Sequence, residues 1–171
     1  IVHDVTERHK AEAELRKLSM AIEQSPESIV ITSLDATIEY VNAAFVKATG
    51  YQRDEVIGQN PKILHSGQTP REEHAALWAV LSKGQTWKGE FINRRKDGSV
   101  YVEFAVISPV FDIDGKVTHY VAVKEDITEK KRLAVELDHY REHLEEVVMS
   151  RTEELEQAKT QAEAANRAKS A

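Results

Sequence analysis

Between Thr86 and Arg95 the chain reads as an extended segment in which Trp87, Gly89, Phe91 and Asn93 fall on every second position. In a strand that spacing puts all four on one face, so a single amide stands among apolar groups. An amide in that setting has to be paired. Its donor and acceptor, side by side, can match a ligand edge that offers the complementary pair. A second set sits upstream on one helix face: His74, Leu77, Trp78 and Leu81, where Trp78 can stack on or wall a planar ring. Arg71, near the start of that helix, is placed to meet a pyrophosphate. The competing use of these residues is packing, with Trp78 and Trp87 in a core and Asn93 bonded to a neighbouring loop. No cysteine occurs, which removes disulfides, thiolate metal sites and any cysteine nucleophile. Neither a substrate-binding motif nor a general acid–base pair is present, so the chain itself is not expected to be an enzyme.

Positioning these groups requires one core. The chain has 171 residues and 41% hydrophobic content, enough for a single ordinary domain with appendages. Charged residues make up 30%, with a net charge of -6. That gives no basic footprint, and nucleic acid is not an expected partner. No apolar run approaches the roughly 20 residues of a membrane span and no signal peptide precedes Ile1, so a soluble, cytoplasmic piece is expected. The first residue is not Met, which fits a fragment of a longer protein.

Helix-prone sequence runs from Thr6 to Glu23, with Ala11, Leu15, Leu18 and Ile22 on one stripe, and Ser25-Pro26 stops it. Ser28 to Ser33 and Thr37 to Val41 read as a hairpin around Asp35. Asn42 caps a short helix, Ala43 to Thr49, that Gly50 closes, and Asp54 to Ile57 suggests one more turn. Gly58 to Pro70 reads as irregular, followed by a helix from Pro70 to Gly84. Three strands follow, Thr86 to Arg95, Ser99 to Pro109 and Lys116 to Glu125, with turns at Asp97-Gly98 and Asp114-Gly115. Two strands, small helices and three strands predict an α+β fold with one antiparallel sheet and the helices on one face.

From Glu129 onward there is no Pro or Gly, and Leu133, Leu137, Tyr140 and Leu144 form a heptad seam. The step to Val148 is a stutter, after which the seam is lined by Leu155, Ala158, Ala162 and Ala165. A helix of this kind extends about 60 Å and needs a partner, most simply its own copy in a parallel dimer. The signature Asp126-Ile-Thr-Glu129 opens it, and a near-copy, Asp4-Val-Thr-Glu7, stands at the start of the chain. Asp126 or Thr128 can cap helix N–H groups, and Glu129 lies three residues after Asp126, as in a capping box. The duplication predicts a domain that occurs in tandem, with the chain starting on the tail of one copy and holding one whole copy.

The runs Tyr40-Val-Asn-Ala-Ala-Phe45, Thr49-Gly-Tyr51, Glu55-Val-Ile-Gly-Gln-Asn60-Pro61, Asn93-Arg-Arg-Lys-Asp-Gly98 and Asp126-Ile-Thr128 together resemble a PAS domain, the sensory module of bacterial signalling proteins. The resemblance implies a five-stranded antiparallel sheet whose concave face and small helices enclose a ligand pocket. It also implies that Asp-Ile-Thr links the last strand to a signalling helix. Arg151-Thr-Glu-Glu-Leu155 through Ala164 to Ser170 resembles the segment that leads into the phosphoacceptor helix of sensor histidine kinases, without the phosphoacceptor motif itself. The expected layout is a linker helix from a preceding PAS domain at 1–24, a PAS sensor at 25–128 and a signalling coiled coil at 129–171. The expected parent is a multi-PAS, hybrid sensor histidine kinase. The expected partners are a kinase domain in cis and a second copy, joined through the N- and C-terminal helices.

Light-sensing LOV domains carry Gly-x-Asn-Cys, and here the stretch is Gly58-Gln-Asn60-Pro61, so cysteinyl–flavin chemistry is excluded. The run Ser66-Gly67-x-Thr69-Pro70, the Leu77-Trp78 pair, Trp87-x-Gly89 and Asn93-Arg94-Arg95 are closer to redox-sensing PAS domains that hold FAD without a cysteine. By that resemblance Asn60, Thr69, Arg71, Trp78 and Asn93 lie at or near a flavin, and Asn93 matches the edge of its isoalloxazine ring. Pro61 departs from the pattern. Two other contents of the pocket stay open: a haem held by His74 or His65, and no ligand or an unknown small one, which would make the domain a dimerisation and signal-relay spacer.

Overall fold

A computed structural model describes the backbone of residues 2–170 and the side chains of residues 5–170. Ile1, Ala171 and the Asp4 side chain of the first signature lie outside the described residues. Helix α1 (Val2–Glu23) leads into strands β1 (Ser28–Thr32) and β2 (Ile38–Val41), then helices α2 (Ala43–Thr49) and α3 (Arg53–Val56). A 3₁₀ turn (Pro61–Leu64) and helix α4 (Arg71–Leu81) precede strands β3 (Trp87–Arg94), β4 (Val100–Phe111) and β5 (Val117–Asp126), and helix α5 (Thr128–Lys169) follows.

The five strands form one antiparallel sheet in the order β2-β1-β5-β4-β3, so the last strand sits at the centre between the first hairpin and the second pair. The turn between β3 and β4 needs Gly98 at φ 89°, and Asp97 Oδ1 accepts from the Ser99 N–H at 2.8 Å to close it. Residues 58–70 are less irregular than their composition suggests. Asn60 caps the 3₁₀ turn by accepting from the Lys62 N–H at 3.0 Å, and Pro61 occupies the first turn, where its missing N–H costs nothing.

Apolar burial divides into two clusters. One gathers Val30, Ile38, Val41, Phe45, Val56, Leu64 and Ala122; the other gathers Leu77, Leu81, Trp87, Phe91 and Ala105, and Ile107 packs on both. The alternation read on β3 is present: Trp87, Phe91 and Asn93 are buried while Lys88, Glu90 and Arg94 are exposed. Gly89 belongs to that inner face because the Trp87 indole lies over it, where a Cβ would come within 2.2 Å of the ring. Gly89→Ala is therefore expected to displace the indole and cost about 1–2 kcal/mol, checked by denaturant unfolding.

The end of α1 is fastened to the core at two points. Asn42, fully buried, donates from Nδ2 to the Ile22 and Glu27 carbonyls at 3.0 and 2.9 Å, and its Oδ1 accepts from the Ile29 and Phe45 N–H groups at 2.9 and 3.1 Å. Glu23 accepts from the Tyr40 hydroxyl at 2.8 Å and pairs with Arg53.

The sheet ends on a second fastening. Asp126 Oδ1 accepts from the Thr128 N–H at 3.0 Å and from its hydroxyl at 2.6 Å, and the other carboxylate oxygen pairs with Arg95. Glu129 turns to Arg132, at 2.7 Å. Burial raises the Asp126 carboxyl, but the bonds from Thr128 and Arg95 outweigh it and leave the group below its ordinary range. A value depressed by folding gives stability that is present above the ordinary carboxylate range and is lost as pH falls through the folded-state value. Asp126→Ala is expected to cost about 1 kcal/mol at neutral pH and to weaken the acid-side loss of Thr128 amide protection, followed by NMR.

The chain divides into two compact units, residues 1–128 and 129–171. From Glu129 onward the residues of α5 are exposed, including the seam residues Leu133, Leu137, Tyr140 and Leu144. Arg132 bridges Glu129 and Glu136 on its surface. Among the described residues no helix is long and apolar enough to cross a membrane.

Candidate functional site

Between the two apolar clusters lies a cavity of about 290 Å³. The inner face of the sheet supplies Phe91, Asn93, Ile107, Tyr120, Ala122 and Lys124 to it. Leu77, Trp78 and Leu81 close it from α4, and Asn60, Pro61 and Leu64 from the 3₁₀ turn. Asp35, Lys62, His65 and Trp78 line it while remaining exposed, which marks where it meets solvent. Its size is near the lower end of the roughly 300–1,000 Å³ usual for small-molecule sites.

Two lining residues, Asn93 and Lys124, belong to a charged network that continues behind the cavity wall. Asn93 Nδ2 donates to Glu103 Oε1 at 2.8 Å, the Lys124 ammonium donates to the same oxygen at 2.6 Å, and the Tyr101 hydroxyl donates to Oε2 at 3.2 Å. All four residues are buried, with Glu103 3% and Lys124 8% exposed. A desolvated ion pair is costly to assemble and survives only when its remaining valences are filled, as Asn93 and Tyr101 fill those of Glu103. Lys124 also stands 5.8 Å from the Phe91 ring centroid. Burial, and then the Glu103 charge, push the Tyr101 phenol far above its ordinary value, so it stays a donor.

Two imidazoles share the lining. The His65 and His74 rings are 4.6 Å apart, and His74 stacks on Phe91 at 5.5 Å. Burial first, and His74 next, hold His65 below the usual imidazole value.

The five residues singled out by sequence separate. Asn60, Trp78 and Asn93 come together on the cavity. Trp78 is 45% exposed and meets Tyr120 edge-on with ring centroids 6.0 Å apart. Thr69 and Arg71 stand outside the lining. The Thr69 hydroxyl accepts from the Ile92 N–H at 2.8 Å and donates to the Ile92 carbonyl at 3.2 Å, which ties the loop to β3. Arg71 begins α4, exposed to solvent. The expected pairing of the Asn93 amide with a loop is replaced by Glu103, while its backbone bridges His65.

Glu103 and Lys124 were not singled out by sequence. A signal existed: Tyr101, Glu103, Ala105 and Ile107 share one face of β4, so a carboxylate falls in an otherwise closed row. Lys124 likewise follows Tyr120 and Ala122 on β5.

A five-stranded antiparallel sheet that closes a small-molecule cavity against its helices, with a long helix continuing from its last strand, is the architecture of a sensory ligand-binding domain. The chain belongs to the PAS domain family, whose model matches residues 26–129. It is 40% identical over 107 residues to a nitrogen fixation regulatory protein of Klebsiella oxytoca, covering 63% of this chain and 22% of that one. It is 32% identical over 110 residues to a blue-light-activated histidine kinase of Brucella ovis, covering 64% of this chain and 22% of that one. A light-oxygen-voltage domain studied with a flavin analogue superimposes with a TM-score of 0.62 at 26% identity, over 74% of this chain and 96% of that one. The chain thus spans about a fifth of the length of these two curated relatives. Its relatives place it among the PAS sensory domains of regulators and histidine kinases.

Proposed function

We propose that this PAS domain is a sensory module of a cytoplasmic sensor histidine kinase and that its cavity holds the ring of a flavin, in the form of FAD. The observation that carries the reading is the composition of the cavity: apolar walls from Trp78, Leu77, Phe91 and Ile107, and one polar, hydrogen-bonding end made by Asn93 and Lys124, both held from behind by Glu103. A flavin ring is a flat apolar body with carbonyl acceptors and an imide N–H along one edge. The donors of Lys124 and Asn93 fit such an edge in kind. The likeness to a domain studied with a flavin analogue supports the same assignment. Bound flavin would supply a redox change; the chain's own residues bind the ring, exclude water from it and hold the charge beside it.

In this reading residues 1–24 are the linker helix from a preceding PAS domain, 25–128 the sensor and 129–171 the signalling helix toward a phosphoacceptor domain. Two copies pair through α1 and α5, a pairing supported by the apolar, exposed α5 seam from Leu133 to Leu144, and attachment of each copy to a kinase domain favours a parallel arrangement. The purified, unboiled protein is expected to show flavin absorption and to release FAD on denaturation. A protein that is colourless and takes up no added flavin would refute the assignment.

A second reading has its own observation. Among the described residues no buried side-chain polar atom lacks a partner, so the charged end is satisfied without a ligand. That favours a ligand-free dimerisation and relay spacer, which would be colourless and still dimeric by sedimentation.

A further inference from the structure

Glu103 divides its two oxygens between two neighbourhoods. Oε1 serves the cavity, accepting from Asn93 and Lys124, whereas Oε2 accepts from Tyr101, which is 1% exposed. The far face of that phenol ring carries the Arg95 guanidinium, with Cζ 4.4 Å from the centroid. Arg95 is fixed in turn: Nε donates to the Ala48 carbonyl at 2.8 Å, and Nη2 holds Asp126, which caps Thr128.

A backbone route runs beside this one. Val102, between Tyr101 and Glu103, accepts from the Ile127 N–H at 2.9 Å, and its own N–H donates to the Thr128 hydroxyl at 2.9 Å. Three consecutive residues of β4 therefore place two side chains in the network behind the cavity wall and a backbone against Ile127 and Thr128, where α5 begins.

We propose that Glu103 is the group through which the cavity's occupant is read, and that Tyr101 is the positioning residue that passes its state to Arg95, Asp126 and the start of α5. A ligand edge rich in acceptors, or one that gains negative charge, competes with Glu103 for Lys124 and Asn93. Glu103 then depends on Tyr101 alone, and the ring under Arg95 moves with it. The role as a signal path rests on the cavity being a ligand site. The coupling itself does not, and it can be measured without any ligand.

The test is amide exchange by NMR on the full 171-residue chain, read at Ile127 and Thr128, in Glu103→Gln, Tyr101→Phe and the double variant. Glu103→Gln is expected to speed both amides about tenfold and Tyr101→Phe about threefold, with the double variant no faster than Glu103→Gln, because coupled sites are not additive. The Ile29 amide, held by Asn42 at 2.9 Å, reports whether the rest of the domain is intact. Rates that multiply independently to about thirtyfold, or single variants within about twofold of the parent at both amides, would overturn the proposal. Should Glu103→Gln fail to fold, the cycle is run with Tyr101→Phe and Asp126→Asn, where independence is again the contrary result. A colourless protein would remove the flavin assignment and leave this outcome unaffected.

Discussion

Replacing Lys124 or Glu103 singly by Met is expected to cost about 3–5 kcal/mol of unfolding free energy, whereas the double replacement costs about 1 kcal/mol or less. Each single change leaves the other charge buried, 8% or 3% exposed, with its ion-pair partner 2.6 Å away removed. As arranged, Asn93 and Tyr101 donate to a lone Glu103 and make no bond to Lys124, so Glu103→Met is expected to be the worse of the two. The double variant exchanges an ion pair for apolar volume in a row that already holds Ala105 and Ala122. Urea unfolding of the four proteins checks the prediction. Two single-variant costs that simply add in the double variant would mean that the pair contributes no coupling.

The second large effect is expected where β2 leads into α2. Asn42→Ala removes four hydrogen bonds at once, two donated and two accepted, from a fully buried position, and a loss of about 2–4 kcal/mol is expected. Asn42→Asp separates the parts: it keeps the acceptor for Ile29 and Phe45 but sets a carboxylate against the Ile22 and Glu27 carbonyls. Exchange at Gln24, whose N–H donates to the Met20 carbonyl at 2.9 Å, should rise most in the Asp variant, because the α1 end is then repelled. Calorimetric or urea unfolding gives the global cost and exchange gives its location.

The elements were legible because their signals are local. Alternation from Trp87 to Asn93, the Gly50 and Gly98 turns and the unbroken run after Glu129 each depend on neighbours in sequence. The 3₁₀ turn was hidden because Pro61 in a stretch containing Gly58 and Gly67 has the composition of a loop, although Asn60 before it is a capping residue. The charged end of the cavity was hidden for a different reason. Glu103 and Lys124 meet only because β5 lies beside β4 in a register that sets Lys124 opposite Ala105. Neither residue occurs in the runs that carried the family resemblance, and a lone charge within a strand reads as its solvent face. Thr69 and Arg71 show the converse: family position marked them, while the fold gives Thr69 to the β3 backbone and Arg71 to solvent. Asp126 pairs with Arg95, a contact 31 residues distant in sequence, while the neighbouring Arg94 donates to the Ser66 carbonyl at 3.4 Å.

Two cavity-lining residues, Asn93 and Lys124, and the Ile127–Thr128 joint at the start of α5 are thus held by the same stretch of β4, Tyr101-Val102-Glu103, and the account stands on the link between them. Amide exchange at Ile127 and Thr128, measured on the parent protein with and without saturating FAD, addresses that link most directly. The account predicts that flavin binds and changes both rates by about threefold or more, while the Ile29 amide stays constant. Flavin that binds with both rates unchanged would contradict that link, and flavin that does not bind would refute the flavin assignment.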